Sequence, residues 1–310
     1  GTGTFIRFGR VEDHWKATPD FPELEIKWTP ETSTRMAALL TGEVHITPLS
    51  SDLESTVQNF GMKLIAAKAP RFRFFLNMYC CNLAEPDNPS AGYIHPDSPL
   101  LDVRVRKALS KAIDRKEIND HLLAGRGQIN PHAHIAPSSP NFNQRWASDF
   151  QNVFGYDPAA AKSLLAEAGY NATNPLKTNM ILQSYTDLPE AEDIQEVIAG
   201  YFGDVGVETT ILTLERAAVS KTRRAFGFDN HVVMSRTASH DLVAYRVYGS
   251  SIPPRAAVEI AAINPLLRKA MGTTDPGAQG SLVREISDLY YDNASVIPLM
   301  WRANTVAVDP

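Results

Sequence analysis

The segment at residues 157–169 constrains this chain most, because its pattern fixes a helix and both of its ends. Asp157 is placed to cap the helix, and Pro158 takes the first helical position, where its missing N–H leaves nothing unsatisfied. Gly169 supplies a left-handed stop. Ala161, Leu164, Leu165 and Ala168 fall on one face between them. A helix with a single apolar face has to lie against another layer. Two more helices stand earlier in the chain. In LDVRVRKALSKAI, the residues Leu101, Val105, Ala108, Leu109, Ala112 and Ile113 keep helical spacing behind Asp102 as N-cap. Asp114 then starts a second helix, with Glu117 three residues on in a capping-box arrangement, and this helix ends near Gly125.

Strand signals alternate with helices elsewhere. EIKWT sets Ile26 and Trp28 on one face before Pro30, Thr32 or Ser33 can cap a helix running to Leu40, and Val44–Ile46 reads as a short strand. Residues 62–68 and 72–78 read as strands around Pro70, and a polar loop covers 82–99. Residues 126–148, punctuated by Pro131, Pro137 and Pro140, read as a long loop. Beyond the 157–169 helix come a strand at 178–183, a helix at 189–202, a strand at 207–214, a basic helix at 215–225 and a strand at 230–234. A helix at 278–292 and a buried strand at 297–301 follow. This alternation predicts a mixed α/β layer architecture.

Composition excludes several classes. With 44% hydrophobic and 21% charged residues, the chain has material for a real core. Its 310 residues correspond to about two domains or one large one. Its apolar runs are interrupted well short of the roughly 18–20 residues that span a bilayer. The net charge of −5 and the lack of a basic stripe argue against a nucleic-acid partner. Cys80 and Cys81 are adjacent, so they cannot close a loop, and they lack CxxC spacing. Two buried thiols are expected rather than a vicinal disulfide, since free cysteine behaves as a small hydrophobe. The opening Gly1-Thr2-Gly3-Thr4-Phe5 has no Met and no signal-peptide pattern, which points to a removed segment or an excised piece and says nothing about compartment.

The search for chemistry leaves one stretch that is hard to dismiss. His132 and His134 form an HxH without a third ligand at metal spacing, so a structural role and no metal are expected. There is no GxGxxG and no GxxxxGK[ST], hence no phosphate-cradling loop and no cofactor. Arg216, Lys221, Arg223 and Arg224 read as a solvated basic helix face, and Glu190, Glu192 and Asp193 suit the first turn of a helix. After the strand ending at Met234 comes SRTASHDLVAY, which gathers Arg236, Thr237, Ser239, His240, Asp241 and Tyr245. Loops at strand ends of α/β sheets are where ligands bind. Arg236 offers a planar fork for a carboxylate or phosphate, Asp241 can take an ammonium, and Tyr245 can stack on a ring. Met234 and Tyr185 complete the candidate ligand-binding set. A polar surface loop with Asp241 as a helix N-cap is the alternative, and both readings stand. His240-Asp241 lies near Ser235, Ser239, Ser250 and Ser251, which allows a hydrolase as a competing reading, but no GxSxG supplies a nucleophile turn.

Several segments together resemble one family. GTGTF resembles a GTGPY-type opening, and TSTRMAALLTGEVHI (32–46) resembles a helix ending in A-L-L-x-G-E-V-D-I. LDVRVRKALSKAIDRKEI (101–118) resembles the D-V-R-V-R-x-A-L-x-x-A-I-D-R signature, and GYDPAAAKSLLAEAGY (155–170) resembles Y-D-P-x-x-A-K-x-L-L-A-E-A-G-Y. In this respect the chain is similar, over essentially its whole length, to solute-binding protein family 5 of ABC importers, the oligopeptide-, dipeptide- and nickel-binding type.

The resemblance implies an α/β periplasmic-binding-protein-like fold (type II, cluster C), in which two lobes joined by hinge crossings close on a ligand. It places residues 1–67 in lobe 1, residues 68–296 in lobe 2 and residues 297–310 in a strand returning to lobe 1. The family's long N-terminal segment is not in this sequence, so one whole lobe and part of another are expected. The implied function is capture of a small polar solute (peptide, opine or sugar-like) and its delivery to an inner-membrane ABC permease, without catalysis. A bacterial, periplasmic or extracytoplasmic monomer is implied, and a ligand sensor feeding signalling is an alternative. Thr4 replaces the usual Pro, His45 stands where Asp is typical, and the loop at 79–99 is long. At the strand end, Met234 stands near the family's Trp and Thr237 near the acid that meets a peptide's amino terminus, so peptide specificity is not implied.

Overall fold

The computed structural model describes residues 4–66, 72–185, 188–238, 241–242, 258–302 and 305–310. The chain divides into two units, residues 1–66 with 186–189 and 305–310, and residues 67–185 with 190–304. The first unit opens with Phe5–Gly9 (β1) paired antiparallel to Glu23–Lys27 (β2). Period-2 alternation gives this ribbon two unlike faces. Arg7 lies opposite Glu25 and pairs with it and with Glu23, while Ile6, Phe8, Leu24 and Ile26 share the other face and remain exposed.

Thr32–Leu40 (α1), Ile46–Thr47 (β3), Ser51–Asn59 (α2) and Lys63–Ala66 (β4) follow. The chain's last strand, Thr305–Val308, lies between β3 and β4 and is antiparallel to both. Leu39, Leu49, Val57 and Ala307 form the core beneath. The sequence expected Thr32 or Ser33 as the α1 cap. Glu31 holds that position without a side-chain cap bond, and the Thr32 hydroxyl accepts a hydrogen bond from Arg35 instead. Helix α2 is not legible in the sequence, because Leu53 and Val57, one turn apart, are its only large apolar residues.

The second unit is built on Phe72–Tyr79 (β5), whose apolar run is buried almost throughout, as a central strand requires. Val103–Lys111 (α3), Arg115–Leu122 (α4), Gly127–Ile129 (β6), Gln144–Ser148 (α5), Phe150–Val153 (α6) and Pro158–Glu167 (α7) come next. Then follow Leu176–Ile181 (β7), Ala191–Asp204 (α8), Val207–Leu212 (β8), Arg216–Arg224 (α9) and His231–Thr237 (β9). Ile263–Gly272 (α10), Pro276–Asp292 (α11) and Ile297–Arg302 (β10) complete the unit, and Thr305–Val308 is β11.

The strand order is β6-β10-β5-β9-β7-β8 among the described residues. β5 runs antiparallel to β10 and β9, whereas β7 is parallel to β8 and β9. This is the expected mixed α/β architecture. Residues 297–302 differ from expectation. They form an internal strand of the large sheet, because Ile297 to Arg302 pair with β5 and β6, and only the strand after them joins β3 and β4. The stretch read as a long loop also differs. Ala133, Ile135 and Trp146 are buried against α10 and α11, although no helical or strand period marks them.

Two arginines explain the LDVRVR…DR segment. Arg106 donates to the carbonyls of Leu100, Leu101 and Asn293 at 2.7–3.1 Å, and so satisfies groups at the end of α11. Arg115 donates to the carbonyls of Pro298 and Phe154 and to the Ser110 hydroxyl at 2.8–3.0 Å. Burial pushes their guanidinium pKa values down, to about 10 for Arg106 and about 9 for Arg115. The N-caps at Asp102, Asp114 and Asp157 form as read. The Glu117 carboxylate, however, accepts a hydrogen bond from the Tyr201 hydroxyl at 2.7 Å.

Cys80 and Cys81 were expected as thiols but are joined in a disulfide, and both are buried. Successive side chains of a strand point to opposite faces. The bond therefore forms just past Tyr79, where the strand has ended and the backbone can turn.

Replacing Arg115 by Lys keeps a positive charge but cannot reach three separate acceptors. The substitution is expected to lower unfolding free energy by about 2–4 kcal/mol in urea titrations. A loss under about 0.5 kcal/mol would contradict the carbonyl-clamp role.

Candidate functional site

The end of the large sheet where β9 finishes against the start of β5 carries the candidate site. Phe74 lies opposite Arg236 and Arg73 opposite Thr237, so pairing extends past the apolar run and draws Arg236 and Thr237 into the strand. They were read from sequence as loop residues. Alternation then separates them. Met234 and Arg236 share the face of Phe72 and Phe74, while Ser235 and Thr237 share the other.

On the Arg236 face the guanidinium carbon stands 4.1 Å from the Phe72 ring centre and 4.9 Å from that of Tyr185. Both rings attract the guanidinium charge through their π faces and restrict where the side chain can lie. Tyr185 is itself fixed: its hydroxyl donates to the Met234 carbonyl at 2.8 Å and its ring meets Phe74 edge-on. Arg236 is half-buried. Arg302 lies opposite Phe72 on the neighbouring strand, and there it forms a buried ion pair with Glu190 at 2.9 Å.

The remaining candidates separate. Met234 is buried, and its carbonyl is what it brings to the cluster. Thr237 is buried on the opposite face. On that face the Asn77 amide donates to the Ser235 hydroxyl at 3.0 Å. Asp241 is 7% exposed, and its Oδ2 accepts hydrogen bonds from Ser139 at 2.5 Å and Asn141 at 3.1 Å. Ser239, His240 and Tyr245 lie outside the described residues. Phe72 was missed as a site residue, although its alternation in FRFFLNM was a usable signal. Ser139 and Asn141 sit in a Pro-rich segment with no period, so nothing in the sequence pointed to them.

His132 and His134 resolve into structural groups. His132 Nδ1 accepts from the backbone N–H groups of His134 and Ile135, and its Nε2 lies 3.2 Å from the Ser287 carbonyl. The His134 ring is fully buried and meets Phe75 and Tyr290 edge-on. Among the described residues no group of three or more His, Cys, Asp or Glu could hold a metal ion. Burial lowers the His132 pKa to about 3, with Arg73 adding to the effect and Asp288 and the Ser287 carbonyl opposing it. Burial, followed by His132 and Arg73, lowers that of His134 as well. No described helix is long and apolar enough to cross a membrane.

Residues 2–252 match the family described as bacterial extracellular solute-binding proteins, family 5 Middle, and the chain belongs to that family. It is 24% identical to heme-binding protein A of Haemophilus influenzae, in an alignment covering all of this chain and 56% of the relative. It is 26% identical to the dipeptide-binding protein of Escherichia coli over 69% of this chain and 38% of the relative. The chain spans about half the length of the curated relatives it matches. Two solved structures share the fold. Oligopeptide-binding protein AppA of Bacillus subtilis, in complex with a nonapeptide, has a TM-score of 0.72 at 18% identity, covering 99% of this chain and 60% of that one. NikA of Staphylococcus aureus, in complex with Ni(L-His)2, has a TM-score of 0.75 at 15% identity, covering 99% and 61%.

Both buried imidazoles must stay neutral in the folded protein, while the unfolded chain protonates them near pH 6.5. Their folded pKa values are depressed, so the stability they contribute is complete above about pH 6.5 and is lost as pH falls from there toward about 3. Urea unfolding at pH 7 and pH 5 is expected to show about 4 kcal/mol of loss from the pair. His134→Phe should remove about half of that difference. An unchanged pH slope in the variant would contradict the neutral, buried assignment.

Proposed function

We propose that this chain forms part of the solute receptor of an ABC importer, and that its solute is a small polar molecule carrying a carboxylate. The single observation that supports this most is the half-buried Arg236 guanidinium set over the rings of Phe72 and Tyr185. A guanidinium that rests on aromatic rings presents its N–H donors in its own plane, in the fork geometry that suits a carboxylate. A strand-end position in an α/β sheet suits ligand capture. Peptides and opines carry such a group and neutral sugars do not. The receptor works outside the cytoplasm and hands its solute to a membrane permease unchanged. A hydrolase is disfavoured because Asp241 accepts hydrogen bonds from Ser139 and Asn141 through Oδ2, which occupies the carboxylate that would orient a base.

Thermal unfolding with Met-Leu, glutathione, an opine, a neutral disaccharide and nickel–histidine tests the reading. Binding to the native state raises the melting temperature by mass action, and the rise should be confined to carboxylate-bearing solutes. Arg236→Ala should weaken the binding of a stabilising solute by roughly tenfold to a hundredfold, with little change in the melting temperature of the free protein. An unchanged dissociation constant would remove Arg236 from the site, and stabilisation by the disaccharide alone would overturn the carboxylate assignment.

A further inference from the structure

We propose that Asp241 is a positioning residue rather than a ligand contact, and that Ser139, Asn141 and Gly280 act through it on the strand end that carries Arg236. The proposal concerns the same site as the solute reading and rests on that reading only for its binding consequence.

Asp241 follows β9 by four residues and is buried. Its Oδ2 accepts from the Ser139 hydroxyl at 2.5 Å and from the Asn141 amide at 3.1 Å. A carboxylate taken from water and satisfied by two donors makes short, charge-assisted bonds and fixes the backbone that bears it. The donors themselves sit on a braced segment. The Asn141 N–H donates to the Ser139 hydroxyl at 3.1 Å, and the Phe142 N–H to the Ser139 carbonyl at 3.0 Å. Phe142 meets Trp146 edge-on at 5.3 Å, and the Asn143 amide donates to Asp288 on α11 at 3.1 Å. Asp241 thus moors the end of β9 to a rigid anchor.

Gly280 sets the last link. A Cβ built there would lie 2.6 Å from Asn141 Oδ1, closer than real Cβ atoms approach anything. The obstructing atom is the tip of a side chain and could move. Moving it turns the Asn141 amide away from Asp241. Glycine inside a helix is otherwise unfavourable, so alanine at 280 gains helix propensity while disturbing the mooring. The propensity gain and the lost bond are of similar size, so stability changes little while the strand end loosens.

Hydrogen exchange of the Arg236 and Thr237 amides, at the paired end of β9 and measured without solute, tests the mooring directly. Ser139→Ala/Asn141→Ala and Asp241→Ala are expected to speed exchange about tenfold or more, while Asp241→Asn, which keeps an acceptor oxygen, stays near wild type. Gly280→Ala should speed it with little change in the melting temperature, and should add nothing in an Asn141→Ala background. Wild-type exchange in these variants would overturn the proposal. In the binding arm, Met-Leu and N-acetyl-Met-Leu are titrated against Asp241→Asn and Ser139→Ala/Asn141→Ala. Positioning predicts that the double variant weakens both solutes by the same factor. Selective loss of Met-Leu in Asp241→Asn would make Asp241 an ammonium contact and would overturn the proposal. If neither solute binds the wild-type protein, the solute reading fails in that arm and the exchange result decides the mooring alone.

Discussion

The pairing of β9 with β5 is the constraint on which the rest of the second unit depends. β5 is buried along nearly its whole length, so its register with its neighbours has little freedom: a one-residue slip would turn its buried face around. That register sets Arg236 opposite Phe74 and beside Phe72, and it turns Thr237 to the other face. Arg236 is thereby fixed at a sheet end where its charge is stacked but not lost inside. The strand beside it runs parallel, from Leu176 to Ile181, and the chain then reaches Tyr185, whose ring also lies against the guanidinium.

Three buried polar groups of this unit hold backbone that the fold would otherwise leave unsatisfied. Arg106 and Arg115 take carbonyls at helix ends and on β10, and His132 takes two N–H groups of its own turn. Burial depresses the pKa of all three, because removal from water disfavours the charged form. Such groups add little net energy over an apolar filling, but removing one leaves several orphaned partners. Asp241 is buried too, but the donors to its Oδ2 are side chains. It reads from sequence as a carboxylate able to take an ammonium, and in the structure its Oδ2 accepts from Ser139 and Asn141.

Local signals carried much of the fold. The caps at Asp102, Asp114 and Asp157, the Pro158 start and the alternating strands were legible because each depends on residues within one turn of itself. What escaped depends on distant pairing. The extension of β9 to Thr237 needs β5, and the burial of residues 132–135 and Trp146 comes from aromatic and histidine contacts with α11 that have no sequence period. The placement of Ile297–Arg302 in the large sheet is likewise a matter of partners, since an apolar strand reads the same in either sheet. For the site, Arg236 and Tyr185 were visible as chemistry, Phe72 was visible only as a strand residue, and Ser139 and Asn141 were invisible because small polar residues in a proline-rich stretch are common.

A crystal structure of the protein soaked or grown with a stabilising carboxylate-bearing solute tests the central claim most directly. The account predicts carboxylate oxygens about 2.7–2.9 Å from the Arg236 guanidinium nitrogens, in its plane, with the Phe72 and Tyr185 rings still against the guanidinium. Solute density elsewhere, with the Arg236 nitrogens touching no solute atom, would contradict it.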